Sequence, residues 1–279
     1  MLVDGLATDA DFLYYMTFEA IWRVPLEGGS HDTVVGFGSP TGDGYTALYA
    51  GSDDLVFETV TPLEGELKTL HRVSKEDGSR AILATSTYEH AFRGVALDRD
   101  TAYYGTDEGL FRVPLAGGAA ELVSAGSGTS AHPIVTPTLV GNDVFWAEGE
   151  KLFKIAKTAS GAPGIEVAAF DATAEIIGND EQGLVVALAP EQPEDAVRFV
   201  EVDPATGDAV RAPSELGREL WASLATSDAV WAGSRDGLFR IPRAGGAAER
   251  LTTESVAPLA ASDDAVFAGT VEGVFRFAR

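Results

Sequence analysis

No cysteine occurs among the 279 residues. Disulfides, zinc–thiolate centres and cysteine nucleophiles are thereby excluded. No apolar run reaches the ~18 residues that a membrane-crossing helix needs, so no membrane insertion is expected. The opening residues, MLVDGLATDAD, lack the basic region and long apolar stretch of a signal peptide, and none is expected there; a processed start would read the same. Positive charge is scarce. Twenty Lys and Arg stand against 43 Asp and Glu, a formal charge of −23. Such a surface repels phosphate backbones, which argues against a nucleic-acid partner, and its field draws cations and basic partners. The four histidines, His31, His71, His90 and His132, stand too far apart in sequence for a local zinc motif. The phrases G-x-S-x-G, H-E-x-x-H and the Walker loop are absent, as is a G-x-G-x-x-G following a strand.

What is present is a repeat. GLFRVPLAGGAAE begins at Gly109 and GLFRIPRAGGAAE at Gly237, with eleven of thirteen residues shared. Upstream of each lie a short apolar run, an Asp-containing turn and an aromatic run; downstream of the Gly-Gly turn comes a polar–apolar run. Four short strands divided by turn signals are the signature of one propeller blade. The aromatic or aliphatic second strands centre on Tyr14, Phe57, Tyr103, Trp146, Val186, Trp231 and Phe267. Their spacing lies close to the roughly 40–50 residues of known propeller repeats. The third strands align on a cation, Arg23, Arg72, Arg112, Lys154, Arg240 and Arg276, with Glu201 the exception. Seven units fit better than six or eight. The expected fold is all-β, a seven-bladed β-propeller in one domain over 1–279, with four-stranded antiparallel blades near 1–38, 39–86, 87–126, 127–170, 171–214, 215–254 and 255–279.

The pattern has a physical cause. A blade is a small twisted sheet with two apolar faces, and radial stacking hides both while removing most open edges. Phe111 and Phe239 should lie between blades, and Arg112 and Arg240 on the opposite face by strand alternation. If the Gly-Gly turn is a tight hairpin, Arg112 faces Glu121 and Arg240 faces Glu249 as cross-strand ion pairs. Closure is different. The seventh unit ends at VFRFAR with no fourth strand: either the native chain is longer or the last blade has three strands, and an exposed third strand would be an edge open to pairing.

AYYGTDEGLFRVPLAGG resembles the repeat of the YWTD propellers of low-density-lipoprotein receptors and their bacterial relatives. Tyr103, Tyr104, Thr106 and Asp107 stand nearest that pattern, with Gly105 interposed; AVWAGSRD and AVFAGTVE depart from it. The receptor domains have six blades, where seven units are counted here. The resemblance covers the chain at repeat level. It implies a propeller and, from the bacterial relatives, an exported protein with a binding role at the cell envelope.

Propeller sites sit at a mouth of the central channel. One mouth is built from the crossovers into each first strand and the turns between second and third strands. Its connections carry the candidate binding residues Tyr45, His90, Phe92, Arg93, His132, Glu175 and Trp221. The first strands, such as GLAT, GVALD and SLATS, hold few carboxylates, which argues against catalysis, and no catalytic residue is assigned. The expected function is a non-catalytic binding scaffold for a protein or glycan ligand. One alternative is a metal-assisted hydrolase or lyase, with a divalent cation as cofactor and Asp4, His90, His132 and Glu175 as the first ligands to test. The other is an architectural protein that self-associates through the open blade edge. Aspartates such as Asp9, Asp98 and Asp264 fall in turns between first and second strands, where their own backbone bonding accounts for them. Replacing Arg112 with Glu while Glu121 is kept should lower the midpoint of chemical denaturation; an unchanged midpoint would contradict the cross-strand pair.

Overall fold

The computed structural model describes residues 3–37, 44–61, 67–87, 91–126, 134–180, 183–189, 196–216 and 220–279. Among these, every regular element is a strand. Six sheets are four-stranded and antiparallel, spanning residues 5–36, 44–86, 95–125, 134–169, 173–216, 222–250 and, with three strands only, 259–278. Each first strand touches the next around the circle, and the last of them, Leu259–Ala261, touches the first, Gly5–Thr8. The Thr8 hydroxyl donates to the Ala261 carbonyl at 2.5 Å across that join. The chain is a seven-bladed β-propeller whose seventh blade, among the described residues, lacks a fourth strand.

The repeated phrase is a set of backbone requirements. In blade 3 the second strand, Thr101–Gly105, turns into the third, Gly109–Pro114, around Thr106. Its buried Oγ1 accepts from the amides of Glu108 and Gly109 at 3.1 and 3.3 Å. Thr17, Ser234 and Thr270 form the same turn in blades 1, 6 and 7. A Cβ on Gly109 would meet the Ser124 carbonyl oxygen at 2.5 Å, so the phrase must open on glycine. Gly117 and Gly118 have φ of 90° and 136°, Gly245 and Gly246 have 95° and 128°, and such angles reserve the Gly-Gly turn for residues without a side chain.

Between blades the same core recurs. At the seam of blades 3 and 4, Tyr103, Leu110 and Val123 of one sheet meet Val144, Trp146 and Ile155 of the next. At the seam of blades 1 and 2 the matching residues are Tyr14, Ile21 and Val34 against Leu55, Phe57 and Val73. Alternation sends one row of each strand to each neighbour, so every blade contributes to two such cores. Phe239 is buried in the core between blades 5 and 6, and Phe111 packs against the core between blades 2 and 3. Trp146 and Trp231 are fully buried. Burying large rings of this kind stabilises each seam by roughly 2 kcal/mol per side chain.

The cations act within and between blades. Arg112 lies opposite Glu121 in register, and its Nη2 donates to Glu121 Oε2 at 2.7 Å. Arg240 also lies opposite Glu249, yet its guanidinium goes to Asp228 at 2.8 Å. Asp228 holds a turn, is braced by the Thr226 hydroxyl and needs less ordering than the exposed Glu249, which explains the departure from the expected pair. The position three residues beyond the third-strand cation is a second device. There Lys75, Lys157, Arg243 and Arg279 each reach back to a carboxylate of the preceding blade: Asp9, Asp98, Asp180 and Asp228. Leu26 and Leu115 fill the position in blades 1 and 3, where contact is apolar. Arg243 also holds the buried Glu201. The turn aspartates are therefore seam latches as well as turn formers.

Arg243→Ala should cost about 3 kcal/mol in equilibrium unfolding, because it strands Glu201 in the interior. Lys151→Ala, which breaks a half-exposed pair with Glu166, should leave the midpoint unchanged. Equal effects would contradict the latch.

Candidate functional site

The channel has two mouths, both lined with carboxylates that their surroundings treat differently. At the lower mouth, formed by the turns between first and second strands, lies a cavity of about 840 Å³. Asp9, Asp11, Asp180, Asp263, Asp264 and Arg279 are among its walls. Most of these charges are engaged. Burial alone would raise Asp9, but Lys75 and the Tyr14 hydroxyl, donating at 2.6 and 2.7 Å, hold its carboxyl below the usual range. Asp228 behaves alike: burial is outweighed by Arg240, Thr226 and Arg279. The Lys157 ammonium beside Asp98 lowers that carboxyl too.

At the upper mouth the carboxylates go the other way. Burial pushes up Asp4, which stands at the start of the first strand. Glu58, in the second strand of blade 2 (Asp54–Thr61), is buried and also raised by burial, although Thr46 Oγ1 donates to it at 2.8 Å and Lys68 and Arg93 lie near enough to favour its charge. Glu175 lines the channel on the first strand of blade 5, Thr173–Asp180. Solvent reaches it, but protein surrounds it, and that desolvation raises it. Glu58 and Glu175 both act on the Tyr49 hydroxyl, whose ionisation burial has already pushed far up. Below them lies a cavity of about 340 Å³ walled in part by Leu6, Leu48, Tyr49, Val95, Leu224 and Leu259.

The backbone at this mouth is under strain. Thr136 has φ of 43°, a left-handed conformation that costs a β-branched residue ~1–3 kcal/mol. Its amide donates to the Arg93 carbonyl at 2.7 Å and its hydroxyl accepts from the Ile176 amide at 3.1 Å, which ties blades 3, 4 and 5 together beside Glu175. Gly94 makes room: a Cβ there would lie 3.1 Å from Thr136 Cα.

Of the residues expected from sequence, Arg93 is tied through its carbonyl to Thr136, whose hydroxyl in turn takes the amide of Ile176 next to Glu175, and Asp4 precedes the first strand of blade 1. Trp221 is half-exposed, and its amide donates to Gly233 at 2.9 Å. Tyr45 is a packing residue, stacked on Phe37 at 4.4 Å. Phe92 requires correction as a binding residue: it is 4% exposed and meets Tyr104 edge-on in the core between blades 2 and 3. The side chain before Arg93 points into the seam because the chain is already entering its first strand. His90 and His132 lie outside the described residues. Among the described residues no three His, Asp or Glu converge as a metal set. Sequence reasoning missed Glu58; an acid inside the apolar run LVFETV was the available signal.

No family model and no curated protein matches the chain. Solved structures do. The computationally designed Ika8 protein aligns with a TM-score of 0.63 at 14% identity, covering 100% of this chain and 96% of that one. BamB from Moraxella catarrhalis aligns at 0.59 and 17%, covering 98% and 84%. YCF48 bound to D1 peptide aligns at 0.65 and 11%, covering 100% and 93%. At these identities the likeness is one of fold.

A carboxyl raised in the folded state binds its proton more tightly there than in the unfolded chain. Its contribution is thus most favourable in acid and is lost as pH rises through the folded value. Glu58→Gln should therefore raise the melting temperature at neutral pH, and the gain should vanish below about pH 4, where the glutamate is protonated in both states. A gain that persists in acid would contradict the assignment.

Proposed function

We propose that this chain is a non-catalytic binding propeller that holds a protein partner at the upper mouth of its channel, with a basic side chain of the partner as anchor. One observation carries the reading. At the lower mouth Asp9 and Asp228 are held down by cations of the ring itself, whereas Asp4, Glu58 and Glu175 are raised by burial. A cation brought from outside would lower the cost of keeping those upper carboxylates charged. The net charge of −23 would steer a basic partner toward the ring. Arg93 and Trp221 offer a polar and an aromatic contact at the rim, and aromatic and arginine side chains on a rigid scaffold are frequent anchors of recognition.

YCF48 has been solved with a D1 peptide bound, and its likeness in fold supports the idea that a ring of this shape can carry a peptide. Kinship with YWTD repeats is part of the same proposal, on Tyr103, Tyr104, Thr106 and Asp107. The buried Thr106 hydroxyl that forms the turn supplies a reason for threonine at that place.

The probe is a labelled hexa-arginine peptide beside a hexa-glutamate control. The arginine peptide should bind, and more weakly as salt is raised. Glu175→Gln should weaken it about 3–10-fold without lowering the melting temperature, as should Trp221→Ala. Equal binding of both peptides, or no effect of Glu175→Gln, would overturn the reading.

A further inference from the structure

The seam between blades 7 and 1 repeats the inter-blade core with one member missing. Between blades 3 and 4, Val123 of the fourth strand packs among Tyr103, Leu110, Val144, Trp146 and Ile155. By strand register the matching residues at the last seam are Phe267, Val274, Leu13, Tyr15 and Val24. All five line one cavity of about 340 Å³. At four of the other seams Val34, Leu83, Val167 and Leu251 stand where Val123 does. Each lies two residues after the one paired with the third-strand cation: Asp32, Ala81, Glu121, Ile165 or Glu249. Three of those five are acidic. The chain thus writes the preferred fourth strand three times over, as Asp-Thr-Val, Glu-Leu-Val and Glu-Arg-Leu.

The edge that lacks this strand is Gly273–Ala278. It carries Arg276, which is nearly half-exposed and reaches Asp264 of its own blade at 3.0 Å, and it carries no carboxylate. Phe275 is 41% exposed, whereas Phe239 at the same place in blade 6 is 5% exposed.

We propose that this edge binds an extended segment of a partner protein that carries an acidic residue, one spacer and then Val or Leu, and that adds as the fourth strand of blade 7. The backbone pairs with the open edge, the acid lies opposite Arg276 and shares it with Asp264, and the aliphatic side chain fills the cavity. A second copy fits poorly. Gly273–Ala278 set against itself offers no acid to Arg276 and no aliphatic at the required offset, and a charge of −23 on each copy opposes association. This site is separate from the channel mouth, so either can fail alone.

The test uses the full chain and the peptide AAELVSAG, which copies residues 119–126. Fluorescence polarisation should show saturable one-to-one binding, with a rise in melting temperature. The peptide carrying Val123→Asp should bind at least about 10-fold more weakly, because it would bury a charge in an apolar cavity. In the protein, Arg276→Glu should weaken the original peptide about 3–5-fold, and a peptide with Arg in place of its Glu should recover the loss. No saturable binding at millimolar peptide would overturn the proposal, as would equal binding of the Val123→Asp peptide. Sedimentation of the chain as a dimer that the peptide dissociates would assign the edge to a second copy instead, and so would also overturn it.

Discussion

Each blade is a sheet with two apolar faces and no interior of its own. Everything else in the ring depends on how those faces are covered. The cover is a small cluster, three side chains from one blade and three from the next, and it recurs with the same strand positions at successive seams. Stability here is a sum over neighbours, so no blade is stable alone and the ring must close for the first to be covered. The Thr8–Ala261 hydrogen bond marks where closure happens, and among the described residues the blade on one side of that seam has three strands.

Charge is distributed along the same geometry. Alternation puts Arg112 and Arg276 on the face toward the next blade, beside Tyr103 and Phe267, and they, like Arg72, neutralise carboxylates of their own blade. Three residues on, the chain reaches the lower rim, and a long basic side chain there can touch the preceding blade's turn. The lower mouth is thereby neutralised by the scaffold. At the upper mouth Thr46, Lys68 and Arg93 offset the burial of Glu58 only in part, and burial raises Asp4 and Glu175 as well. The strained Thr136 sits at that same mouth, held by hydrogen bonds to two other blades.

Much of this was legible in the sequence. The repeat fixes blade number, the third-strand cations, the glycines at positive φ and the open last sheet, because each follows from local spacing or from local backbone need. The Arg112–Glu121 pair was legible for the same reason: both ends belong to one hairpin. Arg240 was half legible, since register predicts its neighbour but not which of two carboxylates is better braced. The latches were hidden. Lys75 and Asp9 are separated by most of a blade and a half, and only the closed ring brings them together. Phe92 misled because a connection looks exposed in sequence, while the chain there is already turning inward. Glu58 escaped notice because a strand of apolar residues reads as core whatever its one acid does.

The most direct measurement is native-state hydrogen exchange resolved by strand. If seam cover sets local stability, the third strands of complete blades, such as Gly109–Pro114, should share high protection, and Gly273–Ala278 should be the least protected third strand in the ring. Protection of Gly273–Ala278 equal to that of Gly109–Pro114 would contradict the account.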